Sequence, residues 1–129
     1  RIGFGIGQPD TIKKIDRAMT GSVNVLGLRG VIASYRDREF QDFCRRKNRE
    51  GKNFLYALFQ ERGLQYTPSE ANFVFFRSGR SIEDFRPAMR ERGVLVGRPF
   101  PPYTDWCRVS IGTDEQLQQF AVSLRELIA

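Results

Sequence analysis

The segment Trp106-Cys107-Arg108-Val109-Ser110-Ile111-Gly112-Thr113 sets one arginine inside an apolar run. Read with a period of two, Trp106, Arg108, Ser110 and Gly112 share one face, while Cys107, Val109 and Ile111 share the other and point into a core. Arg108 then stands on the ligand-facing side of a strand. A planar guanidinium on a stiff strand suits bidentate capture of a carboxylate or phosphate, because the strand fixes the fork before the anion arrives. Spacing alone leaves a second reading open, an edge-strand arginine paired with a nearby acid. Other positions carry the same double meaning. Arg98, in Arg98-Pro99-Phe100-Pro101-Pro102-Tyr103, could clamp a second anion or be solvated. Asn72 could donate a hydrogen bond to a ligand or turn the chain after Glu70-Ala71. Arg1 precedes a run that alternates with glycine and could admit an anion, or it is an exposed terminal cation.

No complete catalytic constellation accompanies these residues. Glu39, Asp42 and Glu50 lie among basic neighbours and read as exposed pairs on a helix surface. Lys13, Lys14, Lys47 and Lys52 all lie among polar residues, so no lysine has an apolar, pocket-like setting. Two cysteines, Cys44 and Cys107, show neither pairing nor metal spacing, and the sequence has no histidine. The usual zinc ligands and the usual general base are therefore missing, and no metal site is expected.

The elements that must position Arg108 follow from periodicity. Arg1 to Gly7 reads as a strand with one nearly bare face. Asp10 is a fair N-cap for a short helix to about residue 19, carrying Ile12, Ile15 and Met19. From Val23 to about Arg62 apolar residues recur every three to four positions, predicting one very long helix or two in tandem, with Gly51 the expected break. About 40 helical residues would span about 60 Å, too long for a compact domain of this size, so the helix is expected to bridge two lobes. Gly63 closes it. Beyond lie strands over Leu64–Thr67, Phe73–Phe76 and Val94–Val96, and a helix capped by Ser81 and ended by Gly93. A rigid proline loop, the strand of Arg108 and a last helix capped by Thr113 complete the chain. The expected class is α+β: a small sheet covered by helices in a C-terminal lobe (63–129), a bridging helix (31–62), and the edge of a larger lobe (1–30).

Composition sets the outer limits. The 129 residues are 40% hydrophobic and 12% aromatic, enough for a modest core. Lysine and arginine number 21 against 15 acids, a net charge of +6. The basic cluster Arg45-Arg46-Lys47 with Arg49 and Lys52 also holds Glu50 and reads as a solvated helix face, so no nucleic acid is expected as partner. No run of 18 apolar residues occurs, so no membrane span is expected.

Four motifs in order, Arg1-Ile2-Gly3-Phe4, Ala71-Asn72-Phe73-Val74-Phe75-Phe76, Arg92-Gly93-Val94-Leu95-Val96 and Arg108-Val109-Ser110-Ile111-Gly112-Thr113, cover nearly the whole chain. Together they resemble the C-terminal part of histidinol-phosphate aminotransferases, which are class I/II, fold-type-I enzymes that use pyridoxal 5'-phosphate. The resemblance implies that Arg1 holds the cofactor phosphate, that Arg108 binds the substrate carboxylate, and that Asn72 lies near the substrate. It also implies that the Schiff-base lysine precedes this chain, so that the chain alone is inactive. A cytoplasmic homodimeric enzyme acting on a small amino acid and a 2-oxo acid is the expected parent. Gly97-Arg98-Pro99-Phe100-Pro101-Pro102 departs from the histidinol-phosphate branch, where an arginine often follows the Gly-Val-x-Val strand directly. A related branch could act on other amino acids, aromatic ones among them, with Arg98 or Tyr103 meeting the side chain. A decarboxylase of the same fold, and a non-enzymatic basic module that binds anions, are the alternatives.

Overall fold

The computed structural model describes residues 2–128, so Arg1 lies outside the described residues. The chain divides into two compact units, 1–44 and 45–129.

In the first unit, residues 2–8 are irregular and not the expected strand. A strand exists only through pairing, and no pairing of this segment occurs among the described residues. Helix α1 spans Pro9–Ala18, with Pro9 in its first turn and Gln8 at the cap. Asp10 therefore sits inside the first turn, where its charge favours the helix N-terminus, and is not the cap itself; proline's fixed φ starts the helix one residue earlier. Helix α2 spans Val25–Arg36, capped by Asn24, whose side chain accepts from Gly27 N. Neither helix buries a residue.

The expected break at Gly51 falls elsewhere. Helix α3 spans Arg38–Glu61 and runs through Gly51 without interruption. The break is at Asp37, which leaves helical geometry (φ −87°, ψ 96°) and whose carboxylate accepts from Phe40 N at 2.9 Å. A capping carboxylate that satisfies an orphan N–H starts a new helix, a stronger local signal than a glycine's modest propensity cost.

The second unit holds the sheet. Strands β1 (Tyr66–Thr67), β2 (Phe73–Arg77) and β3 (Trp106–Ser110) are antiparallel in the order β1-β2-β3. The register sets Phe75 opposite Arg108 and Phe73 opposite Ser110. Helix α4 (Ile82–Glu91) is capped by Ser81, and α5 (Asp114–Leu127) by a capping box between Thr113 and Gln116. Gly63 and Gly93 close α3 and α4 at positive φ, as the sequence predicts. One face of the sheet, Val74 and Phe76 with Cys107 and Val109, is buried among Leu55, Leu58 and Phe59 of α3, Phe85 and Met89 of α4, and Phe120 and Leu124 of α5. Phe59 stacks on Phe76 with centroids 4.4 Å apart. No helix among the described residues is long and apolar enough to cross a membrane.

Val94–Val96 is not a strand. The segment meets β3 through Gly97 N, which donates to Arg108 O at 2.8 Å, and Leu95 is largely exposed. Its β-branched composition reports a preference that no partner fulfils here.

Gly51 has a packing role. A Cβ at this position would stand 2.6 Å from Ile111 Cγ2 and 3.1 Å from Leu117 Cδ1. A Gly51→Ala change should gain about 1 kcal/mol in helix propensity and lose about 1–3 kcal/mol to overpacking, because Ile111 Cγ2 sits on a stiff branched carbon. We expect a net loss of about 1 kcal/mol in urea denaturation; a gain in stability would show that Ile111 can retreat.

Candidate functional site

The free face of the sheet carries Phe73, Phe75, Trp106, Arg108 and Ser110, the alternate set to the core residues. Phe75 is the centre of a ring cluster. Phe100 and Tyr103 stand edge-on to it at 5.8 and 5.9 Å, and Trp106 lies tilted at 5.1 Å. The proline loop closes on itself by a bridge between Phe100 and Tyr103, with a cis Pro101-Pro102 bond. Phe73, Phe75, Phe100, Pro101, Tyr103 and Arg108 line an open pocket of about 330 Å³.

Among the described residues, Arg108 is the only charged one lining it. Its guanidinium carbon lies 5.2 Å from the Phe73 ring centre and 5.4 Å from that of Phe100. Its Nε is buried without a hydrogen-bond partner. β3 is an edge strand of the sheet, but no acid pairs with Arg108 among the described residues. Asp105, the nearest acid in sequence, pairs with Arg77 instead. The face of a ring attracts a cation without neutralising it, so Arg108 keeps its full charge for an incoming anion.

Of the other residues singled out by sequence, Tyr103 lines the same pocket and is 54% exposed, which puts it at the mouth. Arg98 is exposed; its guanidinium carbon lies 4.4 Å over the Phe100 ring, and Nη1 donates back to Pro99 O at 3.3 Å. Asn72 is exposed beside Phe73 and outside the pocket lining, and its carbonyl accepts from Ile111 N at 2.9 Å. Arg1, the residue implied for the cofactor phosphate, lies outside the described residues.

The rings of Phe73, Phe75 and Phe100 were not singled out as site residues by the sequence. The available signal was phase: Phe73 and Phe75 alternate with the buried Val74 and Phe76, so half of this aromatic run belongs to the Arg108 face. A second set comes from α3. Asn48, Lys52 and Tyr56, four residues apart, form one stripe. Asn48 Nδ2 donates to Ala71 O (3.2 Å), Lys52 Nζ to Ser69 O (2.6 Å), and Ser69 N donates to Tyr56 Oη (2.9 Å). The stripe holds the loop that delivers Asn72 and Phe73 to β2. Lys52 is therefore not part of a solvated face: its side chain is only 13% exposed, and its ammonium lies 4.0 Å from the exposed Glu70.

Two groups record how burial and pairing divide the unit. Burial pushes the Cys107 thiol up to about 12, against the smaller opposing effects of the Gly97 backbone and the Arg86 charge. At the surface Arg125 donates to both oxygens of Glu61 and holds that carboxyl below its usual value.

Residues 1–124 match the family Aminotransferase class I and II, and the chain belongs to that family. It is 41% identical over 128 residues to a histidinol-phosphate aminotransferase of Symbiobacterium thermophilum, matching 97% of this chain and 35% of the relative. A histidinol-phosphate aminotransferase of Moorella thermoacetica is 35% identical over 132 residues, with 100% of this chain and 34% of the relative covered. Among solved structures, a protein assigned as a histidinol-phosphate aminotransferase from Erwinia carotovora atroseptica superposes with a TM-score of 0.87 at 33% identity, over 95% of this chain and 36% of that one. A Sinorhizobium meliloti enzyme solved with pyridoxal-5'-phosphate shares the fold, with a TM-score of 0.76 at 21% identity over 93% of this chain and 34% of that one. The chain thus spans about a third of the length of the relatives it matches.

Two outcomes are expected here. Lys52→Met keeps the stem and removes the donor to Ser69 O, and should cost about 1–3 kcal/mol while speeding amide exchange over Ser69–Asn72 more than in α4. Unchanged protection of that loop would show that Lys52 does not pin it. At pH 8 a thiol reagent should modify the exposed Cys44 and spare Cys107, read by peptide mass, because Cys107 is buried and un-ionised; rapid labelling of Cys107 in the native protein would contradict this.

Proposed function

We propose that this chain is the substrate-gripping part of a longer, pyridoxal-5'-phosphate-dependent aminotransferase that moves an amino group between an amino acid or amino-alcohol phosphate and a 2-oxo acid. The observation that carries the proposal is the unpaired guanidinium of Arg108 over a ring-walled pocket. A carboxylate entering this pocket leaves water, and its attraction to Arg108 strengthens as the rings exclude solvent. A fork on a strand fixes the plane of the carboxylate, and with it the direction of the Cα–H bond. Such positioning has large leverage on rate.

The described residues fit the substrate end of the reaction. The pocket offers one guanidinium and ring walls, with no lysine among its lining residues. In this proposal the Schiff-base lysine and the groups around the cofactor ring belong to the rest of the enzyme, and Arg1 alone of this chain meets the cofactor phosphate. When bound, the cofactor accepts the amino group and draws electrons from the breaking bond at Cα. In this proposal Asn72, just before β2, and Arg98, over the Phe100 ring, stand near the substrate. Residues 1–30 belong to the edge of the cofactor-binding lobe, 31–62 to the connection and 63–129 to the small domain. The parent is a cytoplasmic homodimer, and the chain alone, without the lysine, is inactive.

In the full-length enzyme Arg108→Ala should lower kcat/KM for the amino acid by about 3 kcal/mol or more, roughly a hundredfold, because the substrate carboxylate loses its partner in a desolvated site. Arg108→Lys should recover part of this, since a point charge remains without the fork. The enzyme should also turn yellow with pyridoxal phosphate and lose that colour after borohydride. A specificity constant unmoved by Arg108→Ala would overturn the assignment.

A further inference from the structure

We infer that Lys52 of α3, with Asn48 and Tyr56 beside it, is a positioning residue for the substrate grip: through the backbone of the loop before β2 it sets Phe73 against the Arg108 guanidinium. The inference rests on the carboxylate reading of Arg108 and adds to it the means by which that guanidinium is aimed.

Continuity is the first argument. Both backbone groups of Ser69 are taken by side chains of one helix face: Lys52 Nζ donates to Ser69 O at 2.6 Å, and Ser69 N donates to Tyr56 Oη at 2.9 Å. Ser69 Oγ in turn accepts from Ala71 N at 3.1 Å, and Ala71 O accepts from Asn48 Nδ2 at 3.2 Å. The next carbonyl, Asn72 O, accepts from Ile111 N at 2.9 Å, which ties the loop to the chain just past β3. Phe73 follows directly, its ring centre 5.2 Å from the guanidinium carbon of Arg108. The other end of the connection is held as well, since Tyr56 stacks on Tyr66 of β1 at 4.8 Å and Gln60 Nε2 donates to Tyr66 Oη at 3.0 Å. Phe73 cannot shift without breaking one of these bonds.

Cost is the second. The Lys52 side chain is 13% exposed, and Glu70, at 4.0 Å from its ammonium, is fully exposed. The close partner of a largely withdrawn charge is thus a neutral carbonyl. Asn48 uses its amide nitrogen here and leaves Oδ1 buried without a partner. Apolar residues at both positions would avoid these penalties. A hydrogen bond supplies direction in exchange, because it holds one atom at one place where an apolar contact lets it slide. Direction matters at this point, since a displacement of about 1 Å at a reacting site can cost about a hundredfold in rate.

The test is kinetic and uses the full-length enzyme with whichever of pyruvate and 2-oxoglutarate it turns over faster, each carrying the carboxylate that Arg108 is to grip. Lys52→Met should raise KM for that acid about tenfold, with kcat falling by less than KM rises. Lys52→Arg, which keeps a donor, should recover most of the loss. In the Arg108→Ala background Lys52→Met should add less than about twofold to the loss in kcat/KM, because a guide has no effect once the group it aims is gone. Tyr56→Phe keeps the ring on Tyr66 and frees only Ser69 N; it should give the same KM rise at smaller size, and answers the question should Lys52→Met not fold. A merely structural role lowers the active fraction, and so kcat, at unchanged KM. That pattern in these variants, or an undiminished tenfold loss on top of Arg108→Ala, overturns the inference. Failure of the underlying reading looks different: Arg108→Ala alone would leave kcat/KM unmoved.

Discussion

The second unit is organised so that one positive charge stays unpaired on the free face of a sheet. A cation that is partly withdrawn from water normally finds an acid, because the penalty for leaving it alone is several kcal/mol. Arg108 has rings in place of an acid, at 5.2 and 5.4 Å from its guanidinium carbon. Ring faces return about 0.5–2 kcal/mol of attraction, less than the penalty. The remainder must be carried by the fold, through a strand whose other side is buried.

That other side explains why the arrangement is stable. Cys107 and Val109 flank Arg108 in sequence and lie in the core with Val74, Phe76 and Phe120. A one-residue slip of β3 would move Arg108 into this core and bring the two apolar residues out, so register is fixed by burial. Gly97 adds a constraint from the side, donating its N–H to Arg108 O where any side chain would collide. The α3 stripe of Asn48, Lys52 and Tyr56 fixes the start of β2, and with it Phe73 over the guanidinium. The Oδ1 of Asn48 is left buried without a partner, a local cost within this anchoring set.

What was legible in the sequence follows the range of the signals. The facing of Arg108, the caps at Ser81 and Thr113 and the closing glycines at 63 and 93 depend on a few adjacent residues and appear as expected. Gly51 misled because its role is not local: it is buried under Ile111 and Leu117, 60 and more residues away, while Asp37 held the capping signal for the real break. Val94–Val96 and residues 2–8 have strand-like composition but no pairing, which is a property of a neighbour and not of the segment. Lys52 looked solvated because its sequence neighbours are polar, yet its ammonium is spent on a backbone carbonyl 17 residues away. Of the pocket lining, Arg108 and Tyr103 were named from the sequence and Phe73, Phe75 and Phe100 were not, since these come to one space only once the chain has turned back across β2.

The choice of rings over an acid also bears on how selective such a site can be. An arginine already paired would have to surrender its partner before gripping a substrate, and the exchange of one carboxylate for another yields little net energy. An arginine held by ring faces gives up nothing when a carboxylate arrives along its N–H edges, because the faces and the edges are different directions of the same group. The same rings then wall the space beside the bound carboxylate, so the groups that keep the charge available also judge the side chain that comes with it. Charge recognition and shape recognition are thereby tied to one set of residues, and a change in Phe73 or Phe100 must alter both together.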